Sequence, residues 1–473
     1  MIELKILNNQ KQCQIESDIL TLSLIREYFS VPNPAYRLNK KFTASRLYAI
    51  TPSGKFELGF LDHVIAWLES NQKQYKIDPD LYKKYYNGFD FPKIKNLPIK
   101  YRDYQEKSIY AALKKGKGII SIPTAGGKTL IMAGVIESLR ENIEDSKALT
   151  LVLVPSIQLV EQTASDFESY GLKNITKWSG GNNPDFSSDI IVAGTQILLS
   201  DKTDLSILND VKILIVDETH GLRKGNEINK IFNLINANYR FGFTGTMPPN
   251  PIDQWNIIGK IGPIVYEEKT QDLKNQKYVS NFKIIILNIN HENAPKISID
   301  FNQPTKAYNS EIEFLINNER RNEIIGKLSL RLKNNTIIMV DRIDHGINIE
   351  NFLKNVCRCE QPVYFIRGST EIEEREKIRA LMEKQNNIIV IAISKIFSTG
   401  INIPNLHNII FASAGKAKIK IMQSIGRALR LHPTKEMAVI FDIADNLRYG
   451  KKHLKERIEL YNHEKYQYEQ KTI

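Results

Sequence analysis

From about residue 100 onward, short runs of Val, Ile and Leu alternate with stretches of helical periodicity, and this alternation limits the folds open to the chain more than anything else in it. The runs Gly118–Ile122, Leu149–Val154, Asp189–Ala193, Val211–Val216 and Tyr239–Phe243 are short and largely apolar, as strands buried on both faces are. Helical stretches such as Leu130–Leu139 and Ser156–Tyr170 separate them. Strand, loop and helix in regular succession predict an open parallel α/β sheet. A second series follows at Asn335–Val340, Val363–Ile366, Ile388–Ile393, Asn408–Ala412 and Met437–Ile443. The chain has 473 residues, more than one core usually supports. The reading is therefore α/β, with two tandem parallel-sheet domains at about 99–270 and 271–445. The stretch from about 247 to 334, which opens on Pro248, Pro249, Pro251 and Gly262, reads as a connector with some structure of its own.

The first 98 residues differ. Short strand-like runs mix with helical ones such as Asp62–Ser70, and aromatics are frequent. This reads as a small, separate N-terminal α+β domain. Its basic and aromatic residues interleave at Tyr36-Arg37-Leu38-Asn39-Lys40-Lys41-Phe42. Such a pattern suits either a nucleic-acid contact or a small core with a solvated basic face. The last stretch, 446–473, reads as a helical basic tail with no legible chemistry.

The formal net charge is +12. An excess of cations favours a polyanionic partner, because each neutralised phosphate releases counterions. A basic enzyme with a solvated surface would show the same excess. The three cysteines, Cys13, Cys357 and Cys359, form no CxxC pair, so no zinc site or disulfide framework is readable. Charges in the opening MIELKILNNQ stand where a signal peptide needs an apolar run. No stretch approaches the roughly 18 apolar residues of a membrane span. These points lead to the expectation of a cytoplasmic protein with no membrane partner.

Three short patterns carry chemistry. Ser121-Ile122-Pro123-Thr124-Ala125-Gly126-Gly127-Lys128-Thr129 follows one strand and opens a helix, the context of a phosphate-binding loop. Lys128 would meet the β- and γ-phosphates and the Thr129 hydroxyl would help hold Mg²⁺. Ile122 stands where the strict GxxxxGK[ST] pattern has Gly, and a tight turn that merely contains Gly-Gly-Lys-Thr is the plainer alternative. Asp217-Glu218-Thr219-His220 ends a second apolar run. Acids at such a strand tip lie where parallel sheets bind ligands, Asp217 for Mg²⁺ and Glu218 to polarise a water; the alternative is a solvated loop. Far away, Gln423, Arg427 and Arg430 fall on one helical face. Two guanidiniums there suit a γ-phosphate whose charge spreads in the transition state, or else a salt-bridged surface helix.

The order of the pieces is more specific than any one of them. Arg102-Asp103-Tyr104-Gln105, TAGGKT, VPS, GTQ, DETH, TGT, STGINIP and QSIGRALR appear in one series over residues 99–445. That series resembles the DExH-type helicases of superfamily 2. The resemblance implies two RecA-like domains, ATP and Mg²⁺, and a nucleic-acid partner. It implies ATP-site roles for Arg102, Gln105, Thr124, Ala125, Gly126, Gly127, Lys128, Thr129 and Gln423. Asp217 and Thr129 become the metal ligands. Glu218 becomes the water-activating acid, and Arg427 and Arg430 become fingers toward the γ-phosphate. His220, Thr244 and Thr246 become coupling residues, although Gly245 replaces the usual Ala between the two threonines. Pro155, Ser156, Gly194, Thr195, Gln196, Thr399 and Gly400 become contacts to the nucleic-acid backbone. A narrower similarity to phage recombination helicases rests on Phe29-Ser30-Val31, Tyr36-Arg37-Leu38-Asn39, Ile396–Ile401 and Gln423–Arg430. It implies remodelling of branched DNA, with R-loops and RNA–DNA hybrids among the substrates; the oligomeric state is open, and a monomer is the expectation. Three alternatives remain: the motor subunit of a restriction-type translocase, an RNA helicase, and a non-enzymatic basic DNA-binding module with a degenerate ATPase fold.

Overall fold

The structure is a computed structural model that describes residues 1–37, 44–123, 125–180, 184–185, 187–200, 203–276, 278, 280–292, 304–394, 403, 405–413 and 435–473. The expectations placed on Thr124, Thr399, Gly400, Gln423, Arg427 and Arg430, and on the segment 38–42, lie outside the described residues. The chain divides into two compact units, Met1–Ile122 with Gly127–Glu268 and Pro123–Gly126 with Lys269–Ile473.

The first unit opens with β1 (Ile2–Ile6), β2 (Gln12–Glu16), β3 (Ser30–Pro32), β4 (Arg46–Tyr48), β5 (Lys55–Glu57) and β6 (Tyr75–Ile77). Four of these form a small sheet in the order β5-β2-β1-β6, while β3 and β4 pair with each other. A seven-stranded sheet follows, built from β7 (Lys117–Ser121), β8 (Thr150–Val154), β9 (Ile175–Trp178), β10 (Ile190–Gly194), β11 (Ile213–Val216), β12 (Tyr239–Thr244) and β13 (Ile264–Glu267). Its order is β13-β7-β12-β11-β8-β10-β9, and every pairing is parallel. All residues of β7, β8, β10 and β11 are buried, which is why Ile, Leu and Val dominate these strands.

The N-terminal layer is not separate from this sheet. Its core side chains, among them Ile25, Phe29 and Phe60, belong to one cluster with Ile119, Leu151, Leu214 and Ile258. Gly59 lies so close to the helix Pro251–Ile261 that an added Cβ would stand 2.2 Å from the Ile258 carbonyl oxygen. Lys260, at the end of that helix, bonds Glu57 Oε1 at 2.8 Å. On another side, Lys117 at the start of β7 donates to the carbonyls of Lys84 and Tyr85 and to Asn87 Oδ1. Burial of its ammonium pulls it down to about 7. A small domain of this size buries too little apolar surface alone, and the shared core makes up the difference.

The second unit is another seven-stranded parallel sheet. It consists of β14 (Asn281–Ile289), β15 (Thr336–Val340), β16 (Val363–Ile366), β17 (Ile389–Ile393), β18 (Asn408–Phe411), β19 (Met437–Asp445) and β20 (Tyr468–Thr472). The order is β16-β17-β15-β18-β19-β14-β20. Two expectations change here. The stretch 247–334 is not a connector: β13 completes the first sheet, and β14 lies inside the second, in register with β19 over nine residue pairs. Nor is 446–473 wholly helical. The helix Arg448–His463 is followed by β20, which pairs with β14 and closes the sheet edge.

Candidate ATP and nucleic-acid site

Parallel sheets collect ligands at the carboxyl ends of their strands, and the first sheet sorts the sequence patterns into one row there. Its consecutive strands β7, β12, β11, β8 and β10 run straight into the phosphate loop, Gly245, Asp217, Pro155 and Thr195 respectively. The chain visits these strands in the order β7, β8, β10, β11, β12, so the adjacency belongs to the fold and not to the linear sequence.

Ile122, the departure from the strict loop pattern, is fully buried, and its amide donates to the Thr244 carbonyl at 2.9 Å. It continues the β7 ladder instead of entering the phosphate cradle, so a side chain is tolerated. Beyond it the Gly126 amide donates to the Pro123 carbonyl at 3.0 Å, and Ala125 and Gly127 both have positive φ. Gly127 caps the helix Lys128–Asn142, in which Thr129 is the second residue. Gln105 explains why Gly is needed at the cap. Its side chain is buried at the start of the helix Asp103–Lys115, where its Oε1 accepts from the Arg102 amide. Its Nε2 lies 2.5 Å from where a Gly127 Cβ would sit. Gly127→Ala therefore adds left-handed backbone strain of about 1–2 kcal/mol and displaces Gln105. The expected result is a lower melting temperature together with weaker binding of a non-hydrolysable ATP analogue.

Asp217 and Glu218 leave β11 together. The Glu218 amide donates to Asp217 Oδ1 at 2.9 Å. Burial, with the Glu218 charge beside it, pushes the Asp217 carboxyl up to about 6. Glu218 adopts φ +50°, a left-handed conformation that persists only where its surroundings impose it. Its carboxylate bridges two partners, Lys128 Nζ at 3.5 Å and His220 Nδ1 at 3.1 Å. His220 Nδ1 also lies 3.3 Å from Thr244 Oγ1. The Thr244 hydroxyl donates to the Thr246 carbonyl at 2.9 Å and accepts from the Thr246 amide at 3.3 Å. A continuous polar chain thus runs from the loop lysine through the acids to the Thr-Gly-Thr turn. Two crowded carboxyl groups served by one ammonium, with a hydroxyl on the loop helix, are a hard-oxygen donor set. Such a set suits Mg²⁺, which keeps waters and takes one or two carboxylates plus phosphate oxygens.

The expected backbone contacts come together too. Pro155, Ser156, Gly194 and Gln196 line one pocket of about 150 Å³. Ser156 caps the helix Ile157–Ser169 by accepting from the Leu159 amide, so the pocket opens on a helix N-terminus. Ser179 and Gly180 complete its wall. The sequence reading passed over them, although a strand end followed by Ser-Gly-Gly was a visible signal. Thr195 and Pro155 also line a larger cavity of about 330 Å³ with Asp217 and Glu218. The expected nucleic-acid contacts and the acids therefore share a wall.

Comparison with known proteins agrees with this geometry. Residues 98–249 match the family model of the type III restriction enzyme res subunit, and residues 319–432 match that of the helicase conserved C-terminal domain. The chain belongs to helicase superfamily 2. It is accordingly an ATP-dependent helicase. It is 28% identical to the ATP-dependent DNA helicase uvsW of Enterobacteria phage T4, over 97% of each chain. It is 26% identical to the DNA 3'-5' translocase XPB2 of Sulfurisphaera tokodaii, over 73% of this chain and 81% of the relative. The DNA-bound type ISP restriction-modification enzyme LlaBIII shares the fold, with a TM-score of 0.58, 16% identity, and coverage of 85% of this chain and 32% of that one. No described helix is long and apolar enough to cross a membrane.

Proposed function

We propose that this helicase is a DNA motor that remodels branched DNA, including R-loops, D-loops, four-way junctions and stalled forks. The observation that carries the reading is the polar chain Lys128–Glu218–His220–Thr244 at the carboxyl ends of the first sheet's strands, with Asp217 and Glu218 sharing a cavity wall with Pro155 and Thr195. In this reading the hydrolytic and nucleic-acid groups meet within one unit. DNA as the track is supported by the similarity to uvsW, an ATP-dependent DNA helicase, and to XPB2, a DNA 3'-5' translocase. In this reading residues 1–98 form an N-terminal layer on the first motor domain, 99–270, and the helix and strand at 446–473 complete the second motor domain, which begins at 271. The working state is a monomer in the cytoplasm of the cell that expresses it.

In this reading Arg102 and Gln105 hold the adenine end, and the amides of Thr124–Gly127 cradle the phosphates. Lys128 neutralises the β- and γ-oxygens. Thr129 and Asp217 would hold Mg²⁺, which would supply charge neutralisation at the phosphates. Glu218 orients the attacking water and takes up its proton. The γ-phosphate is met by Arg427 and Arg430 and by Gln423. His220 senses the Glu218 carboxylate on one side and Thr244 on the other, so loss of the γ-phosphate changes the Thr244–Thr246 turn. Thr399 and Gly400 hold the strand together with Pro155, Ser156, Gly194, Thr195 and Gln196.

An arginine finger is worth about 10³–10⁵ in rate. Arg430→Ala should therefore bind ATP normally and lose turnover by about that factor in a steady-state assay; near-normal turnover removes the finger role. Strand displacement on forks, four-way junctions, R-loops and RNA duplexes tests the substrate. Preference for branched DNA is expected, and preference for RNA duplex overturns the reading. The match of residues 98–249 to a restriction-enzyme subunit favours a second reading, a motor that feeds a nuclease. DNA cleavage by the purified chain or its stable partner would select it.

A further inference from the structure

We propose that the helix Arg448–His463 carries a second, duplex-specific track for the sugar-phosphate backbone; the inference rests on the DNA-motor reading above. Arg448, Lys451, Lys452 and Lys455 are all exposed and share one face of this helix. The opposite face, including His453, Leu454, Arg457 and Tyr461, is buried. None of the four cations takes part in a described salt bridge, whereas the buried Arg457 is paired with Asp442 at 2.9 Å. Arg448 and Lys451 begin the helix, where the macrodipole favours negative charge, and the helix's own acids, Glu456 and Glu459, come only after the last of the four cations. The fold supplies that negative charge from elsewhere. The buried Glu311 carboxylate accepts from the amides of Tyr449 and Gly450 at 3.0 and 2.8 Å. The helix is thus fixed at its N-terminus and its first turn is left free to be basic.

The position is favourable as well. Tyr449 packs edge-on to Tyr308, and Tyr308 lines a small cavity with Asp341, Arg342, Ala412 and Ser413. Those residues follow the carboxyl ends of β15 and β18, the edge at which parallel sheets take ligands. The basic stripe therefore starts next to the ligand-binding edge of the second sheet and leads away from it.

The stripe fits duplex better than single strand. From Arg448 to Lys455 the helix rises about 10 Å, a length over which duplex DNA presents about six phosphate charges. Single-strand sites add exposed aromatic platforms between the cations. This face offers none: Tyr449 is engaged with Tyr308, and Tyr461 is buried. Phosphate contact without stacking positions a duplex without reading its sequence.

The test is a variant in which Arg448, Lys451, Lys452 and Lys455 are all replaced by Gln, in the full-length protein. DNA-independent ATP hydrolysis and melting temperature should match the parent. Affinity for a blunt duplex should fall at least about ten-fold at moderate salt. The slope of log K against log salt should fall by about 3 to 4. Affinity for a single-stranded oligonucleotide should change far less. Neutralising the exposed lysines Lys55, Lys83, Lys107 and Lys114 of the first unit controls for net charge and should leave duplex affinity near the parent value. An unchanged slope, an equal loss on single strand, or an equal loss in the control overturns the duplex track. Failure of the parent protein to bind DNA at all would instead remove the motor reading on which the track depends.

Discussion

Lys128→Ala should reduce ATP turnover by about 10²–10³ or more, the scale expected when a charged donor to transferring oxygens is removed. Its ammonium lies at the N-terminus of the helix Lys128–Asn142 and is only 11% exposed. The screening that weakens surface charges is largely absent there. The ammonium stands 3.5 Å from Glu218 and partly offsets the rise that burial and Glu218 impose on the Asp217 carboxyl. In the proposed cycle the same charge serves the phosphates on ATP binding. The loss should therefore appear first in nucleotide affinity, measured with a fluorescent ATP analogue, and then in turnover. The fold should persist: the side chain lies outside the hydrophobic clusters, and alanine is a good helix former. Wild-type affinity in this variant would detach the loop from the nucleotide.

Glu218→Gln should separate binding from hydrolysis. The amide keeps the shape and retains hydrogen-bonding capacity toward His220, but it cannot accept the proton of the attacking water. Loss of a general base costs about 10²–10⁴ in rate. Nucleotide and DNA binding should remain, with ATP held unhydrolysed in a pre-steady-state trap. Two features make this a clean substitution. The φ +50° backbone at 218 burdens Gln no more than Glu. Removal of one carboxylate also relieves the charge that raises Asp217. Single-turnover hydrolysis at the parent rate would exclude Glu218 as the base.

How much of this was legible beforehand follows from burial. Strands buried along their whole length, such as β8, β10 and β15, were readable to within a residue or so, because only a largely apolar run survives there. The strands that were missed have mixed surroundings. β9 is mostly half-buried, and β20 is largely exposed and is a strand only because β14 offers it a ladder. β14 itself is long and apolar, but it lay in a stretch whose prolines and glycine suggested a connector. The shared core of the N-terminal layer was equally hidden, since close approaches such as Gly59 on Ile258 join residues about two hundred positions apart.

The site divides in the same way. Lys128, Asp217, Glu218 and His220 were named from local patterns. Their linkage through the row β7-β12-β11 is a consequence of strand order, which no local pattern encodes. Ile122 looked like a defect in the phosphate loop and proves to be the last rung of a strand. The backbone-contact residues were found as separate turns, and the fold shows four of them in one pocket with two residues that had not been named, Ser179 and Gly180.

The central claim is that this site hydrolyses ATP in order to move on DNA. Its most direct test is the steady-state ATPase rate of the purified chain with Mg²⁺, measured without nucleic acid and with a saturating forked DNA. The account predicts a low basal rate, strong stimulation by the fork, and loss of that stimulation in Glu218→Gln. A rate that is indifferent to DNA, or stimulated by RNA duplex alone, would contradict it.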